Sequence, residues 1–209
     1  MSTYKNIKVG IIDYKLNNLF SIYNALKKIG YKTNIIDLNV RNYKTYDLVV
    51  LPGVGSYSHA MDYIKKFSID KKIYDFIFKK ESLLFGICLG MQLLFEESSE
   101  FTNTKGLGII SGVVENLKND KKNPVPHIGW NNLINLRNND LRIKKKNFYF
   151  IHSLYCKPKD KKVILTETKY GKNNFCSSIY HKNIFATQFH PEKSSHNGIE
   201  LLKQIKNMI

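Results

Sequence analysis

Two hydrophobic patterns divide this chain into a first and a second half. In the first half, short apolar runs typical of buried strands lie at 7–13, 33–37, 47–51 and 82–88. Helical spacing of apolar residues predicts helices over 18–29, over about 58–80 in two pieces, and from 91 to 97. Because strands that alternate with helices form right-handed crossovers, we expect a mainly parallel sheet flanked by helices.

The second half contains short strand patterns with little helix between them. They lie at 106–117, 126–136, 148–156, 163–168, 175–180 and 184–189. Turn residues fall at 138–140, 158–160 and 171–174, and a last helix is predicted over 197–208. We expect an α/β fold with antiparallel strands added to the sheet in this half. No linker or repeat is visible, which indicates one domain over 1–209.

The net charge of the chain is +16, from 33 Lys and Arg against 17 Asp and Glu. The basic residues are scattered beside turns, without zinc-finger spacing, an RNA-binding signature or a basic helix. No apolar run approaches the roughly 20 residues that span a bilayer. We therefore predict neither a nucleic-acid nor a membrane partner. Three widely spaced cysteines and the lack of a secretory pattern predict a reducing, cytoplasmic setting.

Cys88 stands between two glycines at the end of an apolar run. Gly86 and Gly90 allow a sharp turn and a close approach of substrate to the backbone. A strand-to-helix turn favours the thiolate, because the N-terminal end of a helix is positive. The N–H of Leu89 is then placed to stabilise an oxyanion. The alternative is a buried structural cysteine, which remains the interpretation of the other two cysteines.

A candidate base for this thiol follows the last strand pattern. His190 comes after the apolar run 184–189, and Glu192 lies two residues further on. Residues two apart in an extended chain project to one face, and Pro191 keeps His190 extended. Glu192 is therefore predicted to bond the ring nitrogen of His190 that faces away from the thiol, which fixes the tautomer.

These segments resemble the class I, triad-type glutamine amidotransferases. Three further segments narrow the resemblance to the glutaminase subunits of imidazole glycerol phosphate synthase, in histidine biosynthesis. The five segments occur in the family's order and cover nearly the whole chain; they are 52–61, 86–92, 126–131, 149–153 and 189–192. The resemblance implies a flavodoxin-like, mainly parallel sheet.

The resemblance also implies a Cys-His-Glu mechanism without a cofactor. In it, Cys88 attacks the side-chain amide of L-glutamine and forms a γ-glutamyl thioester. His190 protonates the departing ammonia and then activates water, while Glu192 orients His190. No histidine spacing indicates a metal site.

Further site residues follow from the same resemblance. The oxyanion hole is expected at Gly53 and Val54 together with Leu89. The residues matching glutamine-binding positions are Gly55, Gln92, Glu100, Ser153 and Leu154. Two alternatives remain for these positions. Gln92 and Glu100 could form a pair on a helix surface, and Ser153 could be an ordinary strand-end residue.

The resembled family works as a heterodimer with a (β/α)8-barrel cyclase that receives the ammonia. The products are imidazole glycerol phosphate and an aminoimidazole carboxamide ribotide. The residues matching the docking face are Asn18, Trp130, Asn131 and Lys193. A half-exposed Trp130 suits an interface anchor, whereas a buried one would indicate core packing.

The chain departs from the family pattern in the loop after the first strand. Lys15 and Asn17 stand where related chains usually carry glycines. This loop lies near the partner in the family, so its change questions which synthase the chain serves more than the glutaminase chemistry. Two alternatives to the histidine pathway remain, the second of another class. One is a paralogous glutaminase that supplies a sugar amidotransferase in surface-polysaccharide synthesis. The other is a non-catalytic basic binding module, which the complete set of Cys88, His190 and Glu192 disfavours.

Overall fold

An eleven-stranded mixed sheet organises the fold in the computed structural model, which describes residues 6–15, 18–36, 46–79, 82–134 and 146–209. The strands of the large sheet are β1 (Lys8–Ile12), β2 (Lys32–Ile36), β3 (Leu48–Leu51), β4 (Leu83–Ile87), β5 (Phe95–Ser98), β6 (Thr104–Lys105), β7 (Ile110–Asn116), β10 (Leu154–Pro158), β11 (Ile164–Tyr170), β12 (Asn173–His181) and β13 (Ile184–Thr187). Two further strands, β8 (His127–Asn132) and β9 (Asn147–His152), form a separate antiparallel ribbon.

Five α-helices lie in the described part of the chain. They are α1 (Leu19–Ile29), α2 (Tyr57–Lys66), α3 (Ile69–Lys79), α4 (Leu89–Gln92) and α5 (Ser195–Gln204). Short 3-10 turns occupy Lys161–Val163, Pro191–Lys193 and Ile205–Met208. Gly30 ends α1 in the left-handed conformation, with φ 108°. No helix among these residues is long and apolar enough to cross a membrane.

The centre of the sheet is parallel, in the order β2-β1-β3-β4-β13. Every residue of β3, β4 and β13 is buried, which explains why their sequences are unbroken apolar runs. Successive residues point to opposite faces of the sheet, where α2 and α3 pack on one side and α1 and α5 on the other. The predicted α/β class with a mainly parallel sheet is confirmed.

The antiparallel strands extend the sheet beyond β13. There β12, β10 and β7 follow in order. Strand β11 pairs with β12 but lies off this path. The predicted strand over 148–156 is in fact two strands, because the chain leaves the ribbon after His152 and joins the large sheet at Leu154. The turn expected at 138–140, and Asn17, lie outside the described residues.

The helix predicted over 91–97 is wrong. It ends after one turn as α4, and the residues from Phe95 onward form β5. There Phe95 pairs with Ile110 and Ser98 pairs with Val114 of β7. Long-range pairing therefore overrides the local helical spacing, which sequence alone did not indicate.

Candidate active site

Cys88 occupies a strained turn between β4 and α4. Its backbone has a positive φ of 52° with ψ −108°, an uncommon conformation for a residue with a side chain. Its N–H donates to the carbonyl of Thr187 at 2.7 Å. Such a turn projects a nucleophile from the end of a strand towards a pocket. Because α4 is only four residues long, its dipole contributes less to the thiolate than a full helix would.

The sharpness of this turn depends on Gly90. A Cβ at Gly90 would lie 1.8 Å from the carbonyl oxygen of Leu51 in β3. Only glycine lets α4 pack this closely against the neighbouring strand. The predicted need for glycine here thus has a specific steric cause.

His190 reaches the same edge of the sheet on the strand beside Cys88. Thr187 in β13 is in parallel register with Ile87 in β4, so both chains leave the sheet side by side. Nδ1 of His190 lies 2.7 Å from Oε1 of Glu192, and both side chains are buried. The carboxylate accepts the Nδ1 proton, which leaves Nε2 for chemistry. The pairing predicted from their two-residue spacing is present.

The electrostatics of His190 favour the imidazolium form. Burial alone lowers the pKa of His190, but the negative charges of Cys88 and Glu192 outweigh it and raise the pKa to about 10. Nε2 is buried and makes no hydrogen bond to any described residue. Cys88 is thus near enough to act on the ring charge without meeting hydrogen-bond geometry. Contacts of this kind commonly tighten only when substrate is bound.

A pocket of about 260 Å³ opens beside Cys88. That volume is below the range typical of drug-sized ligands, so the pocket suits a small metabolite. The residues predicted from sequence that line it are Val54, Gly55, Cys88, Leu89, Gln92, Glu100, Ser153 and Leu154. Pro126, Ile151 and His152 complete the lining. Gly53, His190 and Glu192 do not line it.

Glu100 is fixed at one side of this pocket by the start of α2. Its Oε2 accepts the N–H of Tyr57 at 2.6 Å and the hydroxyl of Ser56 at 3.1 Å. The N-terminus of a helix stabilises a carboxylate. Glu100 is therefore held by α2 while it faces the pocket, and it does not form the suggested surface pair with Gln92.

Gln92 is buried beneath the pocket. Its Nε2 donates to the carbonyl of Leu154 at 3.1 Å and to Oε1 of Gln188 at 3.1 Å. Both of its amide protons are therefore used within the protein. Leu154 and Ser153 lie where the chain passes from the ribbon to the large sheet, and the carbonyl of Ser153 accepts from the N–H of Leu117 at 2.8 Å.

The loop after β3 lies against the Cys88 turn. A Cβ at Gly53 would lie 2.3 Å from the hydroxyl of Tyr14 and 3.0 Å from the backbone nitrogen of Gly90. The same tyrosine hydroxyl donates to the carbonyl of Pro52 at 2.6 Å. Leu89 is the first residue of α4, a position whose N–H has no partner within the helix. Tyr14 therefore holds this loop in place, a role that the sequence patterns did not indicate.

Two of the predicted docking residues lie on β8, a third on a turn packed against β9, and Asn18 at the start of α1. Trp130 is 49% exposed and meets Tyr149 edge-on, with ring centroids 6.0 Å apart. Core packing is therefore not its role. Lys193 and Asn18 are both exposed, and the 3-10 turn that carries Lys193 packs against both α1 and β9. Asn131 is half-buried and donates to the carbonyl of Lys169 at 3.0 Å.

Two buried histidines, the first residue of β8 and the last of β9, were missed by sequence reasoning. Nδ1 of His152 lies 2.7 Å from the carbonyl of Leu154, and its Nε2 lies 3.2 Å from Nδ1 of His127. Burial lowers the pKa of His152 to about 3 and that of His127 to about 4. Both are therefore neutral near pH 7. They belong to the segments 126–131 and 149–153, but only strand pairing reveals their contact.

Gln188 is a further residue that was not predicted. It is fully buried, and its Nε2 lies 3.6 Å from the sulfur of Cys88. A glutamine inside an apolar run gave no sign of which group it contacts. Among the residues that the structure describes, no group of His, Cys, Asp and Glu could hold a metal ion.

The chain is similar to known proteins over nearly all of its length. The profile of the family "Glutamine amidotransferase class-I" matches residues 10–206. The imidazole glycerol phosphate synthase subunit HisH of Leptospira interrogans is 36% identical, over 96% of this chain and 100% of its own length. The HisH subunit of Aquifex aeolicus is 41% identical, over 94% of each chain. The structure of PurLQS from Thermotoga maritima superposes with a TM-score of 0.72 at 19% identity, over 96% of this chain and 98% of that one, which shows a shared fold.

Proposed function

The chain belongs to the class-I glutamine amidotransferases, and within them to the HisH subunits of imidazole glycerol phosphate synthase, and on that premise we propose that it hydrolyses L-glutamine and passes the ammonia to a synthase partner. The observation that carries the proposal is the meeting of Cys88 and the His190–Glu192 pair at the ends of adjacent parallel strands. Ligands of parallel sheets bind at this edge.

In the first step, the thiolate of Cys88 attacks the side-chain carbonyl carbon of glutamine. The carbonyl oxygen becomes an oxyanion, stabilised by the N–H of Leu89 and a backbone N–H of the Gly53–Val54 loop. The imidazolium of His190 gives its Nε2 proton to the leaving nitrogen, so that ammonia departs and a γ-glutamyl thioester remains. The raised pKa of His190, about 10, supports its role as the acid of this step.

In the second step, neutral His190 takes a proton from water, and the hydroxide attacks the thioester carbon. The thiolate of Cys88 leaves, glutamate is released, and the imidazolium form of His190 is restored. Glu192 keeps the Nδ1 proton in place throughout, because it accepts that proton at 2.7 Å. Overall, glutamine and water give glutamate and ammonia.

The pocket supplies groups for both ends of the amino acid. Glu100 offers a carboxylate to the α-ammonium group, which suits a pocket otherwise poor in charge. Backbone groups at Ser153 and Leu154 receive the α-carboxylate. Gln92 holds the Leu154 peptide from beneath, since its Nε2 donates to that carbonyl. The resemblance supports these assignments, and the shared lining of one pocket agrees with them.

The proposed partner is the (β/α)8-barrel cyclase of imidazole glycerol phosphate synthase. An apolar face on the ribbon supports docking there: Ile128, Trp130 and Ile151 are exposed on it, and Tyr149 is half-buried beside Trp130. These side chains share one face, because Ile128 pairs with Ile151 and Trp130 pairs with Tyr149. The sulfur of Cys88 lies 3.8 Å from the carbonyl of Ile151, so the reacting atom is directly behind this face.

The test of the hydrolysis is Cys88→Ala, assayed for glutamate release with the cyclase and its nucleotide substrate present. Release should fall to background while the melting temperature stays close to that of the parent. Cys176→Ala, at a buried cysteine of β12, is the matched control and should retain activity. A glutamine-derived chloroketone should label Cys88 alone. Release by Cys88→Ala protein would refute the proposal.

The acceptor is tested by mixing the chain with each candidate synthase. The histidine-pathway cyclase should raise glutamate release by orders of magnitude over the isolated chain. A sugar amidotransferase should leave it unchanged. Activation by the sugar amidotransferase alone would assign the chain to surface-polysaccharide synthesis instead.

A further inference from the structure

Gln188 lies fully buried between the nucleophile and Gln92. Its backbone N–H donates to the carbonyl of Ser177 at 2.9 Å, which fixes the main chain just beyond β13. Its Nε2 lies 3.6 Å from the sulfur of Cys88, and its Oε1 accepts from Nε2 of Gln92 at 3.1 Å. Gln188 is therefore in direct contact with the atom that is proposed to react.

The direction of these hydrogen bonds is fixed by the carbonyl of Leu154, which can only accept. Gln92 must therefore turn its NH₂ group towards that carbonyl, and the same Nε2 carries the second proton to Gln188. Gln188 must therefore accept this hydrogen bond with its Oε1, and its own NH₂ group faces the sulfur of Cys88. A flip of either amide would bring two donors or two acceptors together.

The same carbonyl has a second donor. Nδ1 of His152 lies 2.7 Å from the oxygen of Leu154, and the lowered pKa of His152 keeps that ring neutral with a defined tautomer. The carbonyl oxygen of Leu154, which fixes the direction of these hydrogen bonds, thus accepts from two buried donors. This makes the orientation of Gln188 a property of the buried network rather than of one weak contact.

We propose that Gln188 is a positioning residue whose side-chain N–H donates to the thiolate of Cys88, favouring the ionised sulfur and holding it in the direction of attack. The proposal deepens the proposed glutaminase function and rests on it. An amide suits this role because it donates a hydrogen bond without losing its proton at working pH. His190 is then the only side chain that gives or takes a proton in the cycle. The contact also favours the thiolate as the leaving group when water cleaves the thioester.

The test compares full-length variants in the pH profile of Cys88 alkylation by iodoacetamide. Gln188→Met keeps the approximate shape and removes the donor. Gln188→Glu turns a carboxylate oxygen towards the sulfur, since Gln92 continues to donate to the other oxygen. The midpoint of the profile should rise by about one pH unit for Met, equivalent to about 1.4 kcal/mol, and further for Glu. Peptide mapping confirms that Cys88 is the labelled cysteine.

A matched control is Gln204→Met, at the end of α5 away from the turn that carries Glu192. It should leave the midpoint unchanged. If neither Met nor Glu folds at position 188, Gln188→Asn withdraws the amide by one methylene and should raise the midpoint in the same direction. A role limited to packing predicts altered melting temperatures with the parental midpoint in every folded variant, and that result overturns the proposal.

This series is distinct from the test of the glutaminase itself. Absence of glutamate release from the parent chain with either synthase refutes the proposed function, whereas the order of alkylation midpoints still decides the contact between Gln188 and Cys88. Conversely, an active parent with unchanged midpoints in the variants refutes the role of Gln188 alone.

Discussion

Replacing His127 with phenylalanine should reduce the decrease in the free energy of unfolding that occurs as the pH falls. His127 is buried, with its ring stacked 3.9 Å from that of Tyr170 and 5.0 Å from that of Phe150, so an aromatic replacement preserves the packing. Burial lowers its pKa to about 4 in the folded protein, from an ordinary value of 6.5. The native state keeps it neutral, whereas the unfolded chain binds a proton below about pH 6.5.

The direction of the pH dependence follows from the proton count, because the unfolded state binds more protons than the folded state. Stability therefore falls as the pH drops below 6.5, and this contribution levels off below about pH 4. At pH 5 the cost is about 1.5 pH units at 1.4 kcal/mol each, or about 2 kcal/mol, and about 1 kcal/mol if solvent screens the site. His152 adds a loss of the same sign. His190, whose pKa is raised to about 10, gains stability as the pH falls towards 6.5 and adds no further change below that value, because the ring is then protonated in both states.

The assay is urea unfolding followed by circular dichroism at pH 8 and pH 5, for the parent and for His127→Phe. The variant loses the hydrogen bond to His152 at both values, so its free energy of unfolding starts lower. Its decrease between pH 8 and pH 5 should nevertheless be about 1–2 kcal/mol smaller than that of the parent. His196→Gln, at an exposed histidine, should show the parental decrease. Equal decreases in all three proteins would refute a buried neutral His127.

Three further substitutions test other parts of the site. Glu192→Gln should lower glutamate release about 100-fold or more and reduce the pKa of His190, seen in the pH–rate profile, since the charge that supports the imidazolium is lost; an unchanged profile would contradict this. Gly90→Ala places a Cβ 1.8 Å from a backbone oxygen of β3 and should cost about 3 kcal/mol in urea unfolding, or prevent folding; parental stability would exclude the steric account. Trp130→Ala should weaken cyclase binding by about 2 kcal/mol in calorimetry, with Phe78→Ala on α3 as the unaffected exposed control; equal effects would remove the ribbon as the docking face.

The local hydrophobic pattern was sufficient to predict the central strands, because these strands are buried on both faces of the sheet. The unbroken apolar runs of β3 and β4 need no knowledge of their neighbours to be recognised. The pairing of His190 with Glu192 was also local, since two residues of extended chain set its geometry. These features depend on interactions close in sequence.

The features that sequence reasoning missed all depend on long-range pairing. The strand at Phe95–Ser98 exists because β7 pairs with it, and the break at Ser153 exists because the chain changes partner strands there. The contact of Gln188 with Cys88 joins residues 100 positions apart. No periodicity within a single segment contains that information.

Lys15, just after β1, shows how a non-glycine residue can take the backbone conformation that glycine favours. Lys15 stands where related chains usually carry glycine, and it adopts the left-handed conformation that glycine favours, with φ 65°. The strain of about 1–2 kcal/mol is offset locally, because Asp13 accepts both the N–H and the Nζ of Lys15, at 2.8 and 2.9 Å. Lys15 also adds a long, exposed basic side chain where glycine would present none, so it can influence the choice of partner through charge.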